Sequence, residues 1–300
     1  KELLPNGITG LAQRINDMGM KFGLWVELEM VNKDTPIYQE HPDWIIHVPG
    51  RKQSHGRNQY VLDFSRPEVV DYIHDAIYKV LSTADISYIK WDMNRSITEC
   101  GSAGWPAAQQ GEIFHRYILG VYDLYERLTS EFPHILFESC ASGGGRFDPG
   151  MFYYAPQAWA SDDSDACERL FIQYGTSYCY PLSFIGSHVS ITPNHQVFRN
   201  TSLKFRGDVA YFGSFGYELD LGRLSPEEFE EVKEQIKFMK KYRQLIQYGT
   251  FYRIKDPFAG NEAAWMVVSP DKKQAIFGFY RMLSKSCMPF SLTKLPGLDE

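Results

Sequence analysis

The sequence predicts an α/β fold of parallel strands, followed by the beginning of an all-β region. Three observations carry that reading. Apolar strand-like runs alternate with amphipathic helical segments over residues 1–248, the order of a parallel sheet covered by helices. The later runs each end in Gly, Ser, Asp or His, so polar residues gather at strand C-termini, where barrel enzymes place their chemistry. Beyond Gly249, two strand-like runs follow each other across a turn.

Six strand–helix units are readable. Ile8, Leu11, Ile15 and Met18 recur at helical spacing, and Phe22 to Leu28 reads as a buried strand. Ser65 and Glu68 have capping-box spacing ahead of a helix carrying Val69, Val70, Ile73, Ile77 and Val80, which leads into a strand from Ile86 to Asp92. A longer helix with Ile113, Tyr117, Val121, Leu124 and Leu128 precedes a strand from Ile135 to Glu138. Shorter strands are expected at Gln157 to Ser161, Tyr180 to Ile185 and Val209 to Phe215. Ser225-Pro226-Glu227-Glu228 opens a helix running to about Gln247, with serine as cap, proline at the first position and glutamate at the third. Ala263 to Val268 and Gln274 to Tyr280 then form a hairpin across Ser269-Pro270-Asp271-Lys272-Lys273. The domain reading is residues 1–248 as an α/β unit of parallel strands and 249–300 as the beginning of a C-terminal β-sandwich domain.

Composition narrows the partners. With 44% hydrophobic residues, a net charge of −6, no Lys/Arg-rich block and no apolar run long enough to span a bilayer, neither nucleic acid nor a membrane is expected as a partner. Aromatics at 15% suit a site that stacks on sugar rings or other planar apolar faces. Cys100, Cys140, Cys167, Cys179 and Cys287 are odd in number and form no CxxC cluster, so they read as free thiols of a reducing, cytoplasmic compartment. The chain opens at Lys1 without an initiator methionine and the C-terminal sandwich is only begun, so a piece of a longer protein is expected.

The chemistry centres on Tyr88-Ile89-Lys90-Trp91-Asp92-Met93-Asn94-Arg95. In a strand, residues i and i+2 share a face, so Lys90 and Asp92 would enter one cavity while Trp91 packs behind the sheet. A surface ion pair at a strand end is the competing reading. A second carboxylate is offered by Trp159-Ala160-Ser161-Asp162-Asp163-Ser164-Asp165, a strand end followed by a helix start. Asp163 and Asp165 suit helix capping, a calcium loop is excluded because Glu168 stands where glycine is required, and Asp162 is best placed to reach a barrel mouth. Phe137 to Asp148 ends a strand in a glycine-rich loop that matches no nucleotide-binding pattern, leaving close approach of backbone to a ligand hydroxyl as its use. Cys140 is open to a nucleophilic reading there. Glu27 and Glu29, on the strand face of Trp25, are competing carboxylates.

Phe22-Gly23-Leu24-Trp25, Lys90-Trp91-Asp92-Met93-Asn94-Arg95, Cys140-Ala141-Ser142-Gly143-Gly144-Gly145-Arg146 and Ser161-Asp162-Asp163 together resemble the bacterial α-galactosidases of glycoside hydrolase family 36, in order, from Lys1 to Arg281. Leu28 departs from the family's usual proline between two glutamates. The resemblance implies that residues 1–248 are a partial catalytic (β/α)₈ TIM-barrel domain, incomplete at about six of eight units, with two strands and a paired aspartate lying upstream. It implies a retaining hydrolase that releases terminal α-linked galactose from oligosaccharides of melibiose or raffinose type, without cofactor or metal, in a homo-oligomeric parent. By analogy Asp92 is the nucleophile and Asp162 the general acid/base, while Trp25, Arg57, Lys90, Asn94, Cys140 and Gly143 line the galactose subsite. Lys90 would favour ionised Asp92, and burial would favour the proton on Asp162. An α-N-acetylgalactosaminidase or a galactosyl-transferring relative remains open, as does a sugar-binding protein on a degenerate barrel. Turnover of 2-acetamido substrates separates the first, and any turnover of an α-galactoside the last.

Overall fold

A computed structural model describes residues 4–299, which divide into two compact units at Pro156/Gln157.

In the first unit, α1 (Gly7–Asp17) lays Ile8, Leu11 and Ile15 on the core while Met18 is left in solvent. Strand β1 (Gly23–Val26) is followed by a turn and a two-stranded antiparallel pair, β2 (Met30–Val31) with β3 (Tyr60–Val61), which bracket α2 (Pro36–Glu40). Helix α3 (Pro67–Thr83) leads to β4 (Tyr88–Trp91), and α4 (Ile113–Glu131) leads to β5 (Leu136–Ser139) and then α5 (Pro149–Tyr154). Strands β1, β4 and β5 run parallel, with Trp25, Lys90 and Glu138 in one register row. The alternation of a strand then sorts the faces. Ile89, Trp91 and Phe137 point back into a core shared with Val70, Ile77, Val121 and Leu124 of the two long helices, and Trp91 stacks on Tyr125 at 4.1 Å. Tyr88, Lys90 and Glu138 face the other way.

Two expectations in this unit fail for local reasons. The Ser65–Glu68 capping box does not form: Pro67 starts α3 with Arg66 as its cap, Ser65 donates instead to Asp63 and accepts from Trp105, and Glu68 pairs with Arg66. Phe22 is buried as expected, but the run from Gly23 to Leu28 is half-exposed, with Trp25 51% exposed, because β1 is the edge strand of the three.

In the second unit, β6 (Gln157–Ala158) and α6 (Ala166–Thr176) precede a 3₁₀ turn at Leu182–Phe184 and β7 (Gly186–Ser190). Helix α7 (Leu203–Ala210) packs on β7 and leads into β8 (Ser214–Glu218), parallel to β7. Helix α8 (Pro226–Tyr248) carries the full capping box expected at Ser225 and Glu228. The antiparallel sheet of β9 (Thr250–Lys255), β10 (Glu262–Val268) and β11 (Ala275–Arg281) closes the chain. Two expected strands are displaced. Tyr180–Ile185 is a 3₁₀ turn begun at Pro181, which has no N–H for a ladder, and the strand starts only at Gly186. Val209 and Ala210 end α7, so their strand begins at Ser214.

Candidate functional site

The first unit assembles most of the candidate residues on the β1–β4–β5 face. Ladder bonds from Asp92 N–H to the Val26 carbonyl and from Cys140 N–H to the Trp91 carbonyl, both 2.9 Å, carry the sheet register past the strand ends. Glu27, Asp92 and Cys140 therefore follow Trp25, Lys90 and Glu138 at their C-terminal ends, a carboxylate flanked by hydrogen-bonding neighbours.

Asp92 is 6% exposed. Its Oδ2 accepts from Asn94 Nδ2 at 2.7 Å and from Trp25 Nε1 at 3.2 Å, and its Oδ1 accepts from the Met93 N–H at 2.8 Å. Burial by itself would lift its pKa, but hydrogen bonds from Cys140, Asn94, Trp25 and the Met93 N–H outweigh it and hold the carboxyl below the usual carboxylate range. Asp92 is thus an ionised, oriented carboxylate beside the half-exposed face of Trp25. Lys90 ion-pairs with Glu138 at 3.2 Å. Hence donors around Asp92, rather than the lysine charge, are the main cause of its ionisation.

Lys90 itself stays charged. Burial opposes the cation, and the Glu138 carboxylate, with Cys140 and Asp92 behind it, raises its pKa past the ordinary value. Glu138, which also accepts from the Tyr88 hydroxyl, escaped sequence reading. Its strand-end position was visible, but only the register shows that it faces Lys90. Glu27 is more engaged than its sequence context suggests: Asn94 Nδ2 reaches it at 2.7 Å, Gln59 at 3.0 Å and Arg57 at 3.4 Å. Asn94 therefore bridges two carboxylates with one amide group. Arg57 lies at the tip of a two-residue hairpin, Gly56 to Gln59, where Arg57 and Asn58 both have positive φ (53° and 63°). That turn ordinarily takes Asn-Gly, so an arginine there is held in an uncommon backbone conformation with its guanidinium largely in solvent.

Cys140 is buried, and burial together with the Asp92 charge pushes its thiol up to about 12. Held protonated by that burial, the thiol is a poor nucleophile, which counts against the nucleophilic reading of Cys140. Its sulfur lies 3.9 Å from the Gly143 carbonyl, in a turn where Ser142 (φ 49°) and Gly143 (φ 81°) are both left-handed. Only glycine adopts that backbone freely, and with no Cβ it leaves the backbone open to close approach.

Asp162 belongs to the second unit, in the loop from β6 to α6, with its side chain exposed. Its neighbours are spent on structure. Asp165 caps α6 by accepting from the Cys167 and Glu168 N–H groups and pairs with Arg199, and Asp163 accepts from the Asp165 N–H at 3.1 Å. Gln196 Nε2 donates to the Asp162 carbonyl at 2.7 Å, which ties down the backbone of this loop.

The melibiase family model matches residues 1–249, and the glycosyl hydrolase family 36 C-terminal domain matches residues 262–300. The chain belongs to glycoside hydrolase family 36. Alpha-galactosidase AgaA of Geobacillus stearothermophilus is 56% identical over 99% of this chain and 41% of its own length. Alpha-galactosidase Mel36A of Lactobacillus acidophilus is 49% identical over 100% of this chain and 41% of its own. The crystal structure of AgaA superposes with a TM-score of 0.97 at 56% identity, covering 98% of this chain and 41% of that one, and a variant of AgaA solved in complex with raffinose gives 0.97 at 55% with the same coverage. The fold class is therefore that of the family, an α/β barrel type followed by a β-domain. The chain spans about two fifths of the length of the relatives it matches. No helix among the described residues is long and apolar enough to cross a membrane.

Proposed function

We propose that this family 36 chain carries the catalytic carboxylates of a retaining α-galactosidase. The observation that supports it best is the buried, hydrogen-bonded, ionised Asp92 at the C-terminal end of β4 beside Trp25. In this reading Asp92 attacks the anomeric carbon from the face opposite the leaving group, forming a β-galactosyl ester. Asp162 protonates the glycosidic oxygen as that bond breaks, then takes a proton from the water that releases α-galactose. Trp25 offers an apolar face to the ring, Arg57, Lys90 and Asn94 bond hydroxyls, and Cys140 with Gly143 approaches the hydroxyl next to the reacting carbon. The substrate class is α-linked galacto-oligosaccharides, in keeping with the raffinose bound by the AgaA variant. A barrel over residues 1–248, a β-domain from 249, a homo-oligomeric parent and a cytoplasmic setting for its free thiols complete the proposal.

Product stereochemistry tests it. With an aryl α-galactoside and the full-length protein, proton NMR taken before mutarotation should show α-galactose first. First-formed β-galactose, or no turnover of α-galactosides, overturns the reading.

A further inference from the structure

Glu29 should, by strand alternation, share the face of Trp25. The turn at Leu28 and Glu29 instead sends it behind the sheet, where it is fully buried. An isolated buried carboxylate is costly, so what satisfies it is informative. Arg146 Nη1 reaches both of its oxygens, at 2.8 and 2.9 Å, Trp91 Nε1 donates at 2.9 Å, and the Tyr117 hydroxyl donates from α4. Trp91 is the residue before Asp92. Arg146 ends the glycine-rich loop, and its second nitrogen reaches back to the Cys140 carbonyl at 3.4 Å.

We propose that Glu29 and Arg146 are positioning residues that lock the end of β4 and the Cys140 loop together from behind the sheet, so that Asp92 stays among its donors Trp25, Asn94 and the Met93 N–H. This rests on the reading of Asp92 as nucleophile. The pair is not required by stability alone, because buried ion pairs can often be exchanged for apolar residues without loss. Its distinct effect is geometric: one carboxylate gathers donors from the segment that carries the nucleophile and from the glycine-rich loop beside it. The donors around Asp92 favour its charged form, and that form is the one that attacks.

The test uses the full-length protein, an activated aryl α-galactoside and the pH profile of kcat/KM. Activity falls as pH drops through the pKa of Asp92, so loosening its donors moves this acid limb to higher pH. Arg146→Lys keeps a cation against Glu29 but gives up the second donor to the loop. It should lower kcat roughly ten- to a hundredfold, the scale of a misplaced catalytic group, and raise the acid limb. In an Asn94→Ala background, where one of those donors is already gone, the same change should move the limb less. A folded Arg146→Lys enzyme with an unmoved limb, or an equal shift in both backgrounds, overturns the proposal. If Arg146→Lys does not fold, Tyr117→Phe removes one donor to Glu29 without adding volume and should raise the limb by a smaller amount; an unmoved limb there overturns it equally. Asp92→Gly run in parallel separates the two levels. Full activity refutes the nucleophile and the positioning together, whereas an inactive Asp92→Gly beside an unmoved Arg146→Lys limb refutes the positioning alone.

Discussion

At the scale of single residues, the nucleophile candidate was legible from Lys90-Trp91-Asp92, but the source of its ionisation was not. Sequence spacing puts a lysine two residues away, whereas the register of β4 with β5 gives that lysine to Glu138 and leaves Asp92 to Asn94, Trp25 and Cys140. The lysine then has a pH signature of its own. Burial lowers the Lys90 pKa and Glu138 raises it, with Cys140, Asp92 and Tyr88 also on its face. Glu138→Gln removes the largest raising influence, so Lys90 should lose its proton at lower pH and the alkaline limb of kcat/KM should move down; a limb that stays in place means Glu138 does not govern Lys90. Asp162 invites a leaving-group test. General acid help is worth about 10²–10⁴ in rate, and an activated aryl galactoside needs little of it. Asp162→Ala should slow melibiose far more than the aryl substrate, and equal losses on both would move the acid role elsewhere, with Asp163→Ala as the comparison.

At the scale of elements, helices were read well because their apolar stripes are long: Ile113, Tyr117, Val121, Leu124 and Leu128 of α4 are all buried. Short strands were read poorly. A run such as Tyr180 to Ile185 is apolar whether it forms a strand or a buried turn, and Pro181 decides the matter locally. Capping spacing also needs the hydroxyl oxygen to accept from the helix, as Ser225 does from the Glu228 N–H, whereas Ser65 accepts from Trp105. Two substitutions check these local arguments by thermal or urea unfolding. Ser225→Ala should cost about 1 kcal/mol through loss of the cap. Gly120→Ala in α4 would ordinarily gain about 1 kcal/mol of helix propensity, but its Cβ would run into the Phe64 carbonyl, so a net loss on the order of 1–3 kcal/mol is expected. A stabilised Gly120→Ala protein would mean that α4 can shift away from Phe64.

At the scale of the whole molecule, the fold class was legible because alternating strands and helices leave few arrangements other than a parallel sheet covered by helices, and because polar residues cluster at strand ends. What stayed hidden was the reversal of Glu29 at the end of β1, a tertiary event that follows from Arg146, more than a hundred residues away, drawing the carboxylate inward. The central claim is that Asp92 forms the covalent bond to galactose, and one measurement meets it most directly. Asp92→Gly in the full-length protein should lose nearly all turnover of an aryl α-galactoside, and added azide, entering the space of the missing carboxylate, should restore part of it and yield β-galactosyl azide. Near-normal turnover without azide, or recovery of the azide adduct in the α configuration, would contradict it.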